Sequence, residues 1–357
     1  MSKFIHTADL HFYDKNRYSI NNSKLKRIYL NFKSIVKYAI NNNINLIVIA
    51  GDVYEEYNPD EKIIKLFSKV IKYGIDNNIM FRIILGNHDT NGINHSMESL
   101  KYLTQNNRLK VFDKNITSEI INNVNFVFVP YQKNIEDVIS KSKEYKKDKM
   151  SNVLVTHKDV SNAIYAKAMS NVPNESKFSY VNLMGWNYVA LGDFHYNQKI
   201  AENIWYSGSI TKSTWAERDE NKYFNVVNTK TFVVSKIKLK DNNFIQADIK
   251  YEEWDFNKLI IKKYDNKNVK NSFVLLNIYG KVPIKNRINL IKNQFYNGGA
   301  LDVREKIISD IEYNEQYNDK SEMAEFNPVT FFVNNCKENK VNKKYIKYGM
   351  NKLREAK

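Results

Sequence analysis

Cysteine is almost missing from this chain. Among 357 residues only Cys336 carries a thiol, so no disulfide can close within the chain and no cysteine-rich zinc site can form. Proline and glycine are sparse too, at five and eleven residues, which argues against long linkers and low-complexity segments. No apolar run is long enough to span a bilayer, and the opening Met1-Ser2-Lys3-Phe4-Ile5-His6 lacks the apolar stretch of a signal peptide. The expectation is a soluble, cytoplasmic protein with no membrane contact. Acidic residues are outnumbered, 39 Asp and Glu against 55 Lys and Arg, and the formal charge of +16 suits a polyanionic partner. An AT-rich genome also favours Lys, Asn, Ile and Tyr through its codons, so charge alone does not identify that partner.

What the chain does have is a set of short apolar runs, each closed by polar residues. Met80 to Leu85 reads as a buried strand followed by Gly86-Asn87-His88-Asp89, which is either an ordinary turn or a ligand-binding loop at the carboxyl edge of a parallel sheet. The pattern recurs. Lys3–Thr7 leads into Ala8-Asp9-Leu10-His11, and Asn45 to Ala50 leads into Gly51-Asp52-Val53-Tyr54. Asn152 to Thr156 ends in His157, and Asn187 to Leu191 ends in Gly192-Asp193-Phe194-His195. Amphipathic helices are expected over Ser23 to Asn41, Pro59 to Asn77 and His95 to Thr104, so the first third reads βαβαβ and gives a parallel sheet. Segments at Lys110 to Phe112, Ile116 to Ile121 and Val124 to Val129 read as a hairpin with Asn123 in its turn. Lys141, Lys143, Lys146, Lys147 and Lys149 form either a solvated face or a phosphate-binding patch.

Four of the six histidines fall at these strand ends, where Asp9, Asp52, Asn87, Asp89 and Asp193 also stand. Carboxylate with imidazole suits Mn²⁺, Fe²⁺ or Zn²⁺ better than Ca²⁺. Two divalent ions close together need a bridging carboxylate, for which Asp52 is the natural candidate, and such a pair can clamp a phosphate. His88 fits a proton donor to the leaving oxygen, and Asp89 a carboxylate holding that imidazole in the right tautomer. His6, on the strand itself, reads as a core histidine.

Asp9-x-His11, Gly51-Asp52, Gly86-Asn87-His88-Asp89, the isolated His157 and Gly192-x-x-His195 resemble the five signatures of calcineurin-like metallophosphoesterases. Phe4 to His11, Gly51-Asp52-Val53-Tyr54 with Pro59, Tyr188 to Gly192 and Tyr206-Ser207-Gly208-Ser209 resemble one branch in particular. That branch is the SbcD-like nuclease subunits of SbcCD-type DNA repair complexes, phage versions included. The resemblance implies an α/β fold, a sandwich of two β-sheets flanked by helices, with a small α+β capping domain and a helical C-terminal tail. It implies a nuclease domain over residues 1–240, a capping domain over 241–311, and a linker and tail over 312–357. One metal would be held by Asp9, His11, Asp52 and His195, the other by Asp52, Asn87, His157 and Asp193, with Mn²⁺ ahead of Mg²⁺. The activity implied is DNA exonuclease and single-strand endonuclease, in a homodimer whose tail binds an SbcC-like ABC-type ATPase. Alternatives are a phosphoesterase for nucleotides or phosphoproteins, or a non-catalytic DNA-tethering subunit. Two positions depart from the pattern: Asp193 stands where the family usually has His, and Glu55 where the branch often has Asp or His. Tyr13 and Tyr131, chosen over Tyr54 and Trp215, are the expected aromatic contacts to unpaired bases.

Overall fold

In the computed structural model residues 2–14, 23–92, 96, 107–164, 178–250, 269–280 and 285–308 are described. Met1–Ser309 form one compact unit. The second unit, Asp310–Lys357, lies outside the described residues, and with it the expected linker and helical tail.

The first unit is built on two six-stranded sheets. Strands β1 (Lys3–Thr7), β2 (Leu46–Ala50), β3 (Met80–Ile84) and β4 (Leu109–Phe112) run parallel. Antiparallel β11 (Tyr223–Asn228) and β12 (Val234–Lys238) extend the other side of β1, giving the order β12-β11-β1-β2-β3-β4. The second sheet combines β5 (Thr117–Ile121), β6 (Val124–Val129), β7 (Ser151–His157), β8 (Tyr188–Gly192), β9 (Gln198–Ala201) and β10 (Ile204–Tyr206), in the order β5-β6-β7-β8-β10-β9.

Alternation along the strands explains why the sheets stack. Leu46, Val48 and Ala50 of β2 share one apolar layer with Phe4 and Ile84 of the same sheet and Phe126, Val153 and Ala190 of the other. The intervening Ile47 and Ile49 pack instead under helices α1 (Ser23–Asn41) and α2 (Glu61–Asp76), against Phe32, Val36, Phe67 and Ile71. A strand so covered on both faces must be apolar at every position, as β2 is. On the far side, Val127, Leu154 and Val189 cover Ile135 and Ile139 of α3 (Ile135–Ser142). His6 points into the inter-sheet layer, bonded to the Tyr188 hydroxyl at 2.9 Å and the Leu191 carbonyl at 3.2 Å, and burial drives its pKa down to about 3. It is a core histidine.

Two expectations about strands change. The segment Lys110 to Phe112 does not belong with the hairpin: β4 crosses into the first sheet, where Phe112 stacks on Phe128 of the second at 4.1 Å. Burying that ring between the sheets outweighs local pairing. The hairpin is β5–β6 alone, turned by Asn122 and Asn123, both in the left-handed region at φ 52° and 64°. Beyond Lys238, a third sheet holds β13 (Asn243–Lys250), β14 (Ser272–Tyr279) and β15 (Asp302–Ile308), all parallel, with α4 (Lys285–Asn297) packed on it through Ile291 and Phe295. The β-α-β order expected from residue 271 onward is present. Strand β13 is harder to read from sequence because only its second half, Gln246 to Lys250, alternates exposed with buried residues.

Candidate metal centre

The loops that follow β1, β2, β3 and β8, with His157 at the end of β7, carry all the candidate ligands, so the parallel strands bring their carboxyl ends together by topology. Backbone bonds lace the first two loops: Asp9 N–H to Gly51 O at 3.1 Å, His11 N–H to Asp52 O at 3.1 Å, Phe12 N–H to Val53 O at 2.9 Å. Left-handed backbone marks the same places, with Asp9 at φ 51°, His11 at 46°, Asp52 at 52° and Asp193 at 104°. Such conformations cost about 1–3 kcal/mol each in a non-glycine residue and persist where the surroundings over-determine them.

Three glycines leave room for the side chains. A Cβ on Gly51 or Gly192 would collide with the His157 ring, and one on Gly86 would meet the Asp52 carboxylate and come within 2.5 Å of its backbone nitrogen. Gly86→Ala is therefore expected to displace Asp52 and to destabilise the protein by about 1–3 kcal/mol, the usual cost of overpacking. Urea denaturation of the variant against wild type checks this.

Four imidazoles meet here with one arrangement in common. Each Nδ1 faces an oxygen: Glu55 Oε2 for His11 at 2.9 Å, Glu55 O for His88 at 2.9 Å, Ala50 O for His157 at 2.8 Å, and Glu217 Oε1 for His195 at 3.3 Å. Carbonyls and carboxylates only accept, so each Nδ1 carries a proton and each Nε2 is turned inward, with a lone pair to offer whenever its ring is neutral. His11 Nε2 and His195 Nε2 then lie 3.0 Å apart. His157 Nε2 lies 2.9 Å from Asn87 Oδ1, 3.4 Å from Asp52 Oδ2 and 3.8 Å from Asp193 Oδ1. Asp52 Oδ2 is also 3.7 Å from His11 Nε2, which sets this one oxygen between the two imidazole groups. Asp52 Oδ1 accepts the His88 backbone N–H at 3.0 Å, and Asp9 Oδ1 that of Asp193 at 3.0 Å.

Asp9 Oδ2 is buried and accepts no hydrogen bond among the described residues. It converges with Asp52 and His157, ligand atoms of all three falling within 4.8 Å of one another. This surplus of inward lone pairs is what a cation would satisfy. Donors at about 2.1 Å from an ion and at right angles to each other sit about 3 Å apart, close to the spacings found here. The donor set therefore fits divalent ions.

The electrostatics tell the same story. Burial raises the Asp9 carboxyl to about 7, with the His157 charge opposing and that of Asp52 adding to it. Burial also disfavours the Asp52 carboxylate, but His157 foremost, then His11 and His88, outweigh it and hold the group well below the usual range. The reciprocal effect raises His157 well above an ordinary imidazole despite its burial. Burial and the Asp52 charge push Asp193 up. A divalent ion here would answer the same negative charge that raises His157, and would compete with the proton for its Nε2.

The site thus gathers Asp9, His11, Asp52, Asn87, His157, Asp193 and His195, with His88 half-buried beside them. Asp89 stands apart. Its carboxylate accepts the backbone N–H groups of Val53 at 3.2 Å, Tyr54 at 3.0 Å and Gly86 at 3.0 Å, which pins the second loop to the third. The expected role of orienting His88 is corrected: that imidazole leans on the Glu55 carbonyl, since the amides around Asp89 take up its oxygens first. Glu55 and Glu217 are the residues the sequence reading missed as orienting groups. Glu55, the second departure from the branch's pattern, has its carboxylate turned onto His11. Glu217 follows no motif and lies far from His195 in sequence, so only the fold reveals it.

The aromatic candidates separate as well. Tyr131 is half-buried, donates its backbone N–H to Leu85 O at 2.9 Å, and lines two cavities that also share Asn87. Tyr13 lies under the Lys24 ammonium at 4.7 Å and lines a small cavity with Asp14, Glu55 and Asp60. Tyr54 is wholly buried and Trp215 packs on Phe244 at 4.9 Å. In the lysine cluster Lys141, Lys143, Lys147 and Lys149 are exposed, as a solvated face would be. His95 and, apart from Ser96, the helix expected over His95 to Thr104 lie outside the described residues.

A family model described as calcineurin-like phosphoesterase matches residues 2–211. Among curated proteins none matches the chain. One solved structure similar to this chain is a dimetal phosphatase from Danio rerio, at 10% identity and TM-score 0.40, covering 67% of this chain and 99% of that one. Another crystal structure covers the same shares at 8% identity and TM-score 0.41. No described helix is long and apolar enough to cross a membrane. With the family model spanning more than half its length, and the strand-end residues gathered at one centre, the chain belongs to the calcineurin-like phosphoesterases, metal-binding hydrolases built on a two-sheet α/β sandwich.

Proposed function

We propose that this phosphoesterase is an SbcD-type DNA nuclease, a Mn²⁺-dependent phosphodiesterase with exonuclease and single-strand endonuclease activity that works beside an ABC-type ATPase. The observation that carries the reading is Asp52, whose Oδ2 lies 3.7 Å from one imidazole nitrogen and 3.4 Å from another. Asp9, His11, Asp52 and His195 would hold one ion, and Asp52, Asn87, His157 and Asp193 the other. Ions bound there supply Lewis-acid polarisation of the phosphoryl group and an acidified water as nucleophile. Aspartate at position 193 adds a hard oxygen donor where imidazole is usual, which favours Mn²⁺ or Mg²⁺ over softer ions.

His88 supplies the proton. Burial works against its charged form, but Asp52, the Glu55 carbonyl and the Glu55 carboxylate together raise its pKa, so the imidazolium is available to a leaving oxygen. Support for DNA comes from the +16 charge and from two cavities that share Asn87, Tyr131, Gln132 and Lys133 in their linings, the first of which also reaches His157 and Asp193, since room on more than one side of the ligands suits a polymeric phosphodiester. The third sheet is proposed as the capping domain, residues 312–357 as linker and partner-binding tail, and the assembly as a homodimer.

The test is metal stoichiometry together with cleavage of single- and double-stranded DNA, on wild type and on Asp193→His. Two Mn²⁺ per chain with cleavage by wild type is the expected result. Hydrolysis of nucleotide or phosphoprotein substrates with no DNA cleavage would overturn it. DNA binding without turnover, with one ion per chain and both defects repaired by Asp193→His, would make the chain a DNA-tethering subunit instead.

A further inference from the structure

Behind His195, away from the other ligands, lies a charged group in the protein interior. Glu217 is fully buried, and each of its oxygens has two partners. Oε1 faces His195 Nδ1 at 3.3 Å and accepts from the Thr214 hydroxyl at 3.2 Å, while Oε2 accepts from Ser213 N–H at 3.2 Å and lies 2.5 Å from Lys222 Nζ. The Lys222 ammonium, itself buried, places its remaining protons on Glu220 Oε2 at 2.9 Å and on the backbone carbonyl of His195 at 3.0 Å. One cation therefore ties down both the backbone of His195 and the carboxylate against its ring.

We propose that Glu217 is a positioning residue for the metal centre: its carboxylate, anchored by Lys222, fixes His195 as the Nδ1–H tautomer with Nε2 turned to the ion. The alternative tautomer would set the Nδ1 lone pair against a carboxylate oxygen. Carboxylates behind ligand histidines do this work in metal sites generally, and removing them typically weakens metal binding about 10–100-fold. The burial adds force here, because an unpaired carboxylate in this interior would be costly and Glu217 has every lone pair engaged. Nothing in the strand-end motifs points to it.

The inference rests on His195 as a ligand, not on DNA as the substrate. Mn²⁺ binding to the full chain is measured by calorimetry, in the absence of DNA, for wild type, Glu217→Gln, Glu220→Gln and His195→Ala. In Glu217→Gln, Lys222 claims the amide oxygen and leaves the amide nitrogen facing His195 Nδ1, which favours the wrong tautomer. Mn²⁺ affinity is expected to fall about 10–100-fold in Glu217→Gln, and Glu220→Gln, which disturbs Lys222 without touching the ring, should keep it. In the His195→Ala background, Glu217→Gln should add no further loss. Unchanged affinity in a folded Glu217→Gln, or an equal loss from Glu220→Gln, overturns the proposal. If His195→Ala alone binds Mn²⁺ as wild type does, the ligand assignment beneath the proposal fails with it. Histidine-labelled wild type loaded with Mg²⁺ gives an independent reading by ¹⁵N resonance: a proton on Nδ1 of His195 supports the role, and a proton on Nε2 overturns it whatever the variants do.

Discussion

Asp52→Asn is expected to reduce phosphodiester hydrolysis by about 10³-fold or more, since it removes the charge that both imidazole groups share. The substitution is nearly isosteric. An asparagine oxygen can still accept the His88 backbone N–H that Asp52 Oδ1 holds at 3.0 Å, so the third loop keeps its place. What changes is the other atom. Where Oδ2 now stands 3.4 Å from His157 and 3.7 Å from His11, an NH₂ group would point into a nest of donor lone pairs. It cannot bridge two cations. Metal content should therefore fall from two ions per chain to one or fewer, while the circular dichroism spectrum stays that of wild type. Mass-spectrometric metal analysis with hydrolysis of bis(4-nitrophenyl) phosphate decides the matter. Two retained ions with retained turnover would show that Asp52 is not the bridge.

His88→Ala should separate chemistry from metal binding. Its Nδ1 is held by the Glu55 carbonyl, and neither proposed ligand set includes it. Loss of a proton donor typically costs about 10²–10⁴-fold, and DNA cleavage should fall by that much with both ions still bound. The deficit should shrink on a 4-nitrophenyl ester, whose leaving group departs without needing a proton. An equal loss on both substrates would mean that His88 only binds phosphate. A loss of metal would mean that it acts as a ligand.

Much of this centre was legible before any coordinates. An apolar strand covered on both faces needs no partner to be recognised, and β2 and β8 announce themselves that way, while β1, β3 and β7 do so through shorter apolar runs. Ligands placed directly after such strands inherit their position from the sheet, which is why Asp9, Asp52, Asn87, His157 and His195 could be found by spacing. The residues that orient them obey no such rule. Glu55 and Glu217 reach their histidines through loops whose course is set by tertiary packing, and neither has a neighbour in sequence that hints at the contact. Asp89 misled for the opposite reason. It stands in the motif beside His88, but two of the three amides that it accepts are those of Val53 and Tyr54, on another loop that this motif says nothing about. Crossovers are equally silent, so β4 looked like part of the hairpin until the Phe112–Phe128 stack placed it in the other sheet.

The pairing of β1 with β11 sets a schedule for the ribosome. Lys3 is opposite Asn228 and His6 opposite Asn225, so one side of the first strand stays open until its distant partner has been made. At translation rates of about 5–20 residues per second, that wait lasts on the order of 10–40 s. Throughout it, the nascent chain displays an unpaired edge bearing Phe4 and Ile5, the kind of template on which strands of other chains can add. Any shortened product that stops before Tyr223 would leave that edge without its partner.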